Sequence, residues 1–443
     1  MAKKKNHVLL KELLCHYMKN QLTKIFIIES TGLGGIAHYT YHLANSLANL
    51  NNSVTVYTSN SELSHFKRNF ELNFHMDSSF LKKYLKKMLP LAFLSSKKSS
   101  TKNKTNFQGK KNLEIENMIS NNYYSKARGI IIWIELIISF LVKRPHIIHI
   151  QWLPNPATDV FFLITLRILG FKIVYTAHNV LPHDEDDTKN RRAFGRIYRI
   201  VNKIIVHSRS NEKELSTIFR LSRKKISVIP HGTYDLFQKN VDSMWDAKNK
   251  LGIKSTRKVI LFFGLIKRYK GLQYLLEAFL MVKSQIKDAF LVVAGRIGGK
   301  DEANHILNYR KKYEKLGIIE DTLFENRYIP FEDVSIYFAA SDVVVLPYVK
   351  VYQSGVLMLA YNFSKPVVVT DTGGLSEVVE DQKNGYIVPI RNPSKLSESI
   401  SKILQNEKLS ERMGKYSKHL SLTKYSWATI AKQTIAVYTS LTS

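Results

Sequence analysis

The stretch Gln353-Ser354-Gly355-Val356-Leu357-Met358-Leu359-Ala360-Tyr361-Asn362-Phe363-Ser364-Lys365-Pro366-Val367-Val368-Val369-Thr370 decides the fold. Its small-residue turn opens an apolar helix predicted over 354–362, and a fully apolar strand follows over 366–369. Asp371-Thr372-Gly373-Gly374 ends that strand in a glycine turn, and Asp342-Val343-Val344-Val345-Leu346-Pro347 upstream reads as a second buried strand stopped by proline. A strand, a loop and a helix whose first N–H groups are free form an anion site, because the orphan donors and the helix dipole both favour negative charge. The diphosphate of a nucleotide suits such a site.

Working outward, the same alternation continues in both directions. Strands at 258–263, 289–294 and 322–326 alternate with helices at 271–284, 301–316 and 331–340. In the N-terminal half, strands at 24–29, 53–58, 147–150, 172–177, 203–206 and 226–229 alternate with helices starting near Ala37 and at 157–169, 189–200 and 209–219. Such a rhythm implies parallel sheets covered on both faces, with ligands bound outside the carboxyl ends of the strands. The expected fold class is α/β, with two doubly wound Rossmann-like domains facing a central cleft. Residues 1–232 would form the first and carry a basic insertion at 60–128. Residues 233–424 would form the second, and a last helix over 425–443 would pack back on the first.

Of 443 residues, 44% are apolar, ordinary for a folded protein. The single cysteine, Cys15, excludes an intrachain disulfide, and the histidines show no His-Glu-x-x-His spacing. The formal net charge is +30, and residues 1–232 carry +21 of it. That imbalance implies a polyanionic partner: nucleic acid, anionic headgroups or a phosphorylated acceptor. Residues 80–94 interleave Lys82, Lys83, Lys86 and Lys87 with Phe80, Leu81, Leu85 and Leu89, the pattern of a basic amphipathic helix on a membrane surface or of a solvated helix with an ordinary core face. The run GIIIWIELIISFLV, Gly129 to Val142, is too short to span a bilayer and contains Glu135, so it reads as a buried helix.

Three loops carry candidate chemistry. Gly264-Leu265-Ile266-Lys267-Arg268-Tyr269-Lys270-Gly271 follows a strand and opens a helix. Gly264 allows close backbone approach, and Lys267 or Arg268 with Lys270 can neutralise a diphosphate. Cations oppose the dipole at a helix start, so their presence there points to a bound anion. In the first domain, Gly34 and Gly35 close a compressed glycine turn that would let backbone approach a ligand. Finally, His178 and His183 stand at the carboxyl end of the 172–177 strand.

Together these segments resemble the GT-B-fold glycosyltransferases of family 4, retaining nucleotide-sugar enzymes that build bacterial cell-surface polysaccharides. The resemblance rests on Gly34-Gly35, Ile147-Ile148-His149 with Gln151, Thr176-Ala177-His178-Asn179, Pro230-His231-Gly232, Gly264 with Lys270-Gly271, Asp342 to Pro347, and Lys365-Pro366-Val367-Val368 with Gly373-Gly374. It implies donor contacts from Gly264, Lys267, Arg268, Lys270 and the run Gln353, Ser354, Gly355, Val356 and Leu357, with His178 positioning the sugar. The two glutamates usual in the family, eight positions apart, fall here at Val351 and Leu359. Gln353-Ser354-Gly355-Val356 resembles a variant within the family, which leaves ribose and sugar contacts to other groups, Gln353 and Ser354 among them.

The resemblance implies a nucleotide diphosphate sugar as co-substrate, no metal or other cofactor, and a lipid-linked or polysaccharide acceptor. Expected partners are that donor, the acceptor and an anionic membrane surface, without nucleic acid. The expected location is cytoplasmic, peripheral to the inner face of the membrane. A nucleotide-sugar epimerase of the same fold, a basic nucleic-acid-binding protein and an inactive homologue are the alternatives.

Overall fold

The computed structural model describes residues 22–30, 34–59, 66–73, 129–181, 188–234, 236–238 and 243–442. His183 and the basic stretch 80–111 lie outside the described residues. Parallel pairing organises two sheets, with strand orders β3-β2-β1-β4-β5-β6-β7 and β10-β9-β8-β11-β12-β13. Backbone contacts divide the chain into one unit running to Tyr175 with Ile200–Asn202 and Thr442, and a second made of Thr176–Arg199 and Lys203–Leu441.

In the first unit, β1 (Lys24–Glu29), α1 (Gly34–Asn49) and β2 (Ser53–Thr58) form a βαβ unit, with the short β3 (Glu71–Asn73) beside β2. Helix α2 (residues 129–143), β4 (Ile147–Trp152), α3 (Pro156–Ile168) and β5 (Ile173–Thr176) follow. Both partners of β1 run parallel, Lys24 opposite Ser53 and Ile25 opposite Ile147. Phe26, Tyr57 and Phe140 meet at ring-centroid distances of 5.2–5.3 Å, which fixes α2 to the sheet. Leu136 and Phe140, four apart, are fully buried. The expectation of a buried helix here is corrected, because Ile130, Ile134, Ile138 and Val142 are 61%, 51%, 57% and 78% exposed. A helix that is apolar all round can still bury only the face it turns to its neighbours.

The second unit begins with α4 (Thr188–Ile200), β6 (Lys203–Val206), α5 (Arg209–Phe219), β7 (Ile226–Val228) and α6 (Met244–Lys250). Its own sheet then alternates β8 (Lys258–Phe263), α7 (Leu272–Gln285), β9 (Ala289–Ala294), α8 (Lys300–Lys315), β10 (Thr322–Glu325), α9 (Val334–Ala340), β11 (Val343–Leu346), α10 (Gly355–Asn362) and β12 (Val367–Thr370). Helix α11 (Leu375–Val378) and β13 (Gly385–Val388) complete it, and α12 (Pro393–Gln405), α13 (Glu407–Leu422) and α14 (Trp427–Thr442) close the chain. Strands β8, β9, β11 and β12 are almost wholly buried, as unbroken runs of Val, Ile, Leu and Phe require when helices cover both faces.

The chain adds strands outward from β8 in one direction, then returns to pair β11 on the other side of β8. The loops after β8 and β11 therefore diverge, which opens a crevice at their carboxyl ends. Those two loops are Gly264–Gly271 and Pro347–Ser354.

Candidate functional site

Close backbone approach shapes the loop after β8. Gly271 adopts φ +65°, and a Cβ there would lie 2.0 Å from the Pro347 carbonyl oxygen. No other residue type fits, and the contact ties the two diverging loops together. At Gly264, with φ +96°, a Cβ would stand 3.3 Å from Lys270 Nζ and 3.4 Å from Val356 Cγ2. Lys270 and Val356, in the first turn of α10, thus both flank Gly264.

The Lys270 ammonium lies 5.4 Å from the centre of the Tyr348 ring. Burial pushes its pKa down to about 8, because desolvation disfavours the charged form. No described carboxylate pairs with it. Lys267 is differently employed, since its stem runs against Gly298, where a Cβ would sit 2.5 Å from Lys267 Cε. Arg268 is exposed in the short turn between them.

Helix α10 starts without a side-chain cap, for Ser354 at its N-cap accepts no backbone N–H. The Ser354 hydroxyl instead serves Tyr348, whose own pKa burial raises. Gln353 Oε1 is buried without a hydrogen-bond partner. Leu357 turns into the core at 1% exposure, so only its backbone can meet a ligand. At Gly355 a Cβ would stand 3.0 Å from Tyr234 Cε2. A side chain at 355 would press on the tyrosine ring, which would have to give by a few tenths of an ångström, a crowding the sequence does not reveal. Val351 and Leu359, the positions of the usual glutamates, are buried at 6% and 7% exposure.

His178 lies just beyond β5, 2% exposed, with Nδ1 3.1 Å from His207 Nε2. His207 Nδ1 is 3.0 Å from the Ile229 carbonyl, so Nδ1 carries the proton. Burial lowers the His207 pKa to about 4, leaving a neutral ring whose Nε2 accepts. It follows that His178 Nδ1–H donates to His207. His231 repeats the pattern: Nδ1 faces the Gly232 carbonyl at 2.6 Å, and Nε2 accepts from the Tyr234 hydroxyl at 3.2 Å. Burial, with His207 nearby, lowers the His231 pKa to about 3. The rings of His207 and His231 are 5.5 Å apart. A continuous set of contacts thus runs from His178 through His207, His231 and Tyr234 to Gly355. Trp427 of α14 braces it, its indole N–H donating to the Thr233 carbonyl and its ring filling the space beside Gly232.

The structure thus brings Gly264, Lys270, Gly355 and Val356 together, and joins His178 to them through residues to which the sequence assigned no role. His207 stands at the end of β6 and Tyr234 three residues beyond His231, positions at strand ends that are the available signal. Gly34 and Gly35 open α1 in the other unit, with Gly34 at φ +71° and open space where its Cβ would stand. Among the described residues no three His, Cys, Asp or Glu side chains converge as a metal site would require.

Residues 243–420 match the model of the glycosyl transferases group 1, and residues 109–234 match that of Glycosyltransferase Family 4. The chain belongs to glycosyltransferase family 4. Among relatives of this family 4 chain, an uncharacterized glycosyltransferase of Methanocaldococcus jannaschii is 29% identical over 53% of this chain and 59% of its own length. A D-inositol 3-phosphate glycosyltransferase of Corynebacterium urealyticum is 32% identical over 44% and 46%. The chain spans about half the length of the curated relatives it matches. In fold, this family 4 member is similar to the Anabaena protein HepE solved with UDP, with a TM-score of 0.65 at 15% identity over 94% of this chain and all of that one. It is also similar to sucrose-phosphate synthase from Thermosynechococcus elongatus, with a TM-score of 0.63 at 16% identity over 95% and 99%. The GT-B architecture with two Rossmann-like domains is therefore the fold of this chain.

Proposed function

We propose that the chain transfers a sugar from a nucleotide diphosphate sugar to a lipid-linked or polysaccharide acceptor, with retention at the anomeric carbon. The observation that carries this reading is Lys270, a half-buried ammonium without an ionic partner among the described residues, which flanks Gly264 together with Val356 of the uncapped first turn of α10. A diphosphate seated there gains Lys270 and the backbone amides at 354–357 as donors. As the glycosidic bond breaks, negative charge builds on the leaving phosphate, and these fixed donors stabilise it. Because they are cationic and amide groups, the diphosphate needs no metal ion. The leaving oxygen takes the acceptor's proton on the same face of the sugar, while His178, its tautomer fixed by His207, orients the sugar.

The Anabaena protein was solved with UDP and with UDP-glucose, which supports testing uridine nucleotides first. A basic N-terminal half, at +21, favours an acceptor held at an anionic membrane, on its cytoplasmic face. The test is a thermal-shift panel of nucleoside diphosphates and their sugars, since a ligand that binds only the folded state raises its melting temperature. A panel without any shift, or a donor hydrolysed with no product on any glycolipid or glycan, defeats the proposal.

A further inference from the structure

Of the eighteen large apolar side chains that the described residues leave exposed, eight lie on α2, on α3 and in the turn after α3. On α2 they recur every four residues from Ile130 to Val142, a stripe about 18 Å long. On α3 they are Phe161, Ile164 and Ile168, at 68%, 39% and 79% exposure. A groove of about 620 Å³ runs between the two helices. Its floor is Trp133 stacked on Phe162 at 3.9 Å, and the polar groups there are already satisfied: Trp133 Nε1 donates to Asp159 Oδ1 at 3.0 Å, and Asn155 N donates to Oδ2 at 2.9 Å. The groove therefore offers hydrocarbon contact and asks for no polar ligand.

Charge selects the occupant. Arg144 follows the stripe on α2, and Arg167 and Lys172 flank the end of α3, while Lys143, between Arg144 and the stripe, is paired with Glu71 at 3.6 Å. A second copy of the chain would bring the same excess of positive charge against itself, which opposes association through this face. An anionic lipid surface meets both features, with headgroups for the cations and acyl chains for the isoleucines. No helix among the described residues is long and apolar enough to cross a membrane. We infer that the α2/α3 face of the first unit seats on an anionic bilayer, with lipid chains entering the groove over Trp133. This seat deepens the proposal of a lipid-linked acceptor and rests on that reading for its purpose.

The experiment is co-sedimentation of the full chain with phosphatidylcholine vesicles of graded phosphatidylglycerol content. The Ile134→Asn/Ile138→Asn variant changes only exposed positions and is expected to weaken binding about tenfold or more. Arg144→Glu/Lys172→Glu is expected to flatten the dependence on phosphatidylglycerol. Phe161→Trp is expected to add a fluorescence component quenched by brominated acyl chains. Vesicle binding unchanged by Ile134→Asn/Ile138→Asn, or a dimer in light scattering that the same variant disperses, overturns the seat. Nucleotide affinity measured without vesicles separates the two readings, because its absence defeats the transferase reading while the vesicle series still decides the seat.

Discussion

His207 Nε2 stands 3.1 Å from His178 Nδ1, and the proton between them belongs to His178. The Ile229 carbonyl decides this by claiming the other nitrogen of His207 as a donor. A neutral, buried imidazole thereby sets the tautomer and tilt of the residue proposed to meet the sugar, a positioning role of the kind that supports ligating histidines.

For that relationship, His207→Leu is expected to lower the transfer rate about tenfold to a hundredfold, with donor affinity nearly unchanged. His207→Gln, whose amide oxygen still accepts from His178, should recover much of the rate. The check is steady-state kinetics beside calorimetric donor binding. Equal losses in both variants would reduce His207 to a packing residue.

Acid lability follows from the same histidines. Both are held neutral by burial, with pKa values near 4 for His207 and 3 for His231 against 6.5 for the free side chain. Below pH 6.5 the unfolded chain binds protons that the folded one refuses, so stability is complete above that pH and falls on acidification toward pH 4. The slope should reach roughly 1.4 kcal/mol per pH unit for each histidine. Denaturant unfolding across that window should show a shallower slope in His231→Gln than in the wild type.

Lys270 has a pKa of about 8, and a bound diphosphate would hold it protonated. Donor affinity is therefore expected to be steady below pH 8 and to weaken up to about tenfold per unit above it. Lys270→Ala should cost about tenfold or more at pH 7, equivalent to a charge-assisted hydrogen bond of roughly 1.5–3 kcal/mol, and should abolish the alkaline decline. Calorimetry at pH 7 and pH 9 tests both statements together.

Gly355 and Tyr234 should behave as a coupled pair. A methyl at position 355 meets the tyrosine ring at 3.0 Å, so Gly355→Ala is expected to destabilise by about 1–3 kcal/mol. In a Tyr234→Leu background that cost should shrink, and a double-mutant cycle measures the difference. An additive cycle would mean that the glycine serves something other than the ring.

Much of the architecture was legible because burial in a parallel sheet writes itself locally. The runs at 24–29, 53–58, 203–206, 258–263 and 289–294 form strands over the same bounds. The three-residue β3, Glu71–Asn73, the short β13 and helices α12 and α13 were not anticipated; β13, Gly385–Val388, is only half buried and lacks the long apolar run that marks a central strand. The helix at 129–143 was recognised, but which of its faces met the sheet was not, since nearly every face carries isoleucine.

By itself the sequence determined the alternation of strand and helix, the glycine turns after β8 and β12, the charge excess and the motifs of the family, all properties of residues close in the chain. Tertiary structure alone decided that Lys270 and Val356 of α10 both flank Gly264, that Tyr234 occupies the space Gly355 leaves, and that His207 fixes His178. Those pairs are separated by 29 to 121 positions in sequence, and only the crossing of the chain from β10 back to β11, with the packing of the strand ends, brings them together.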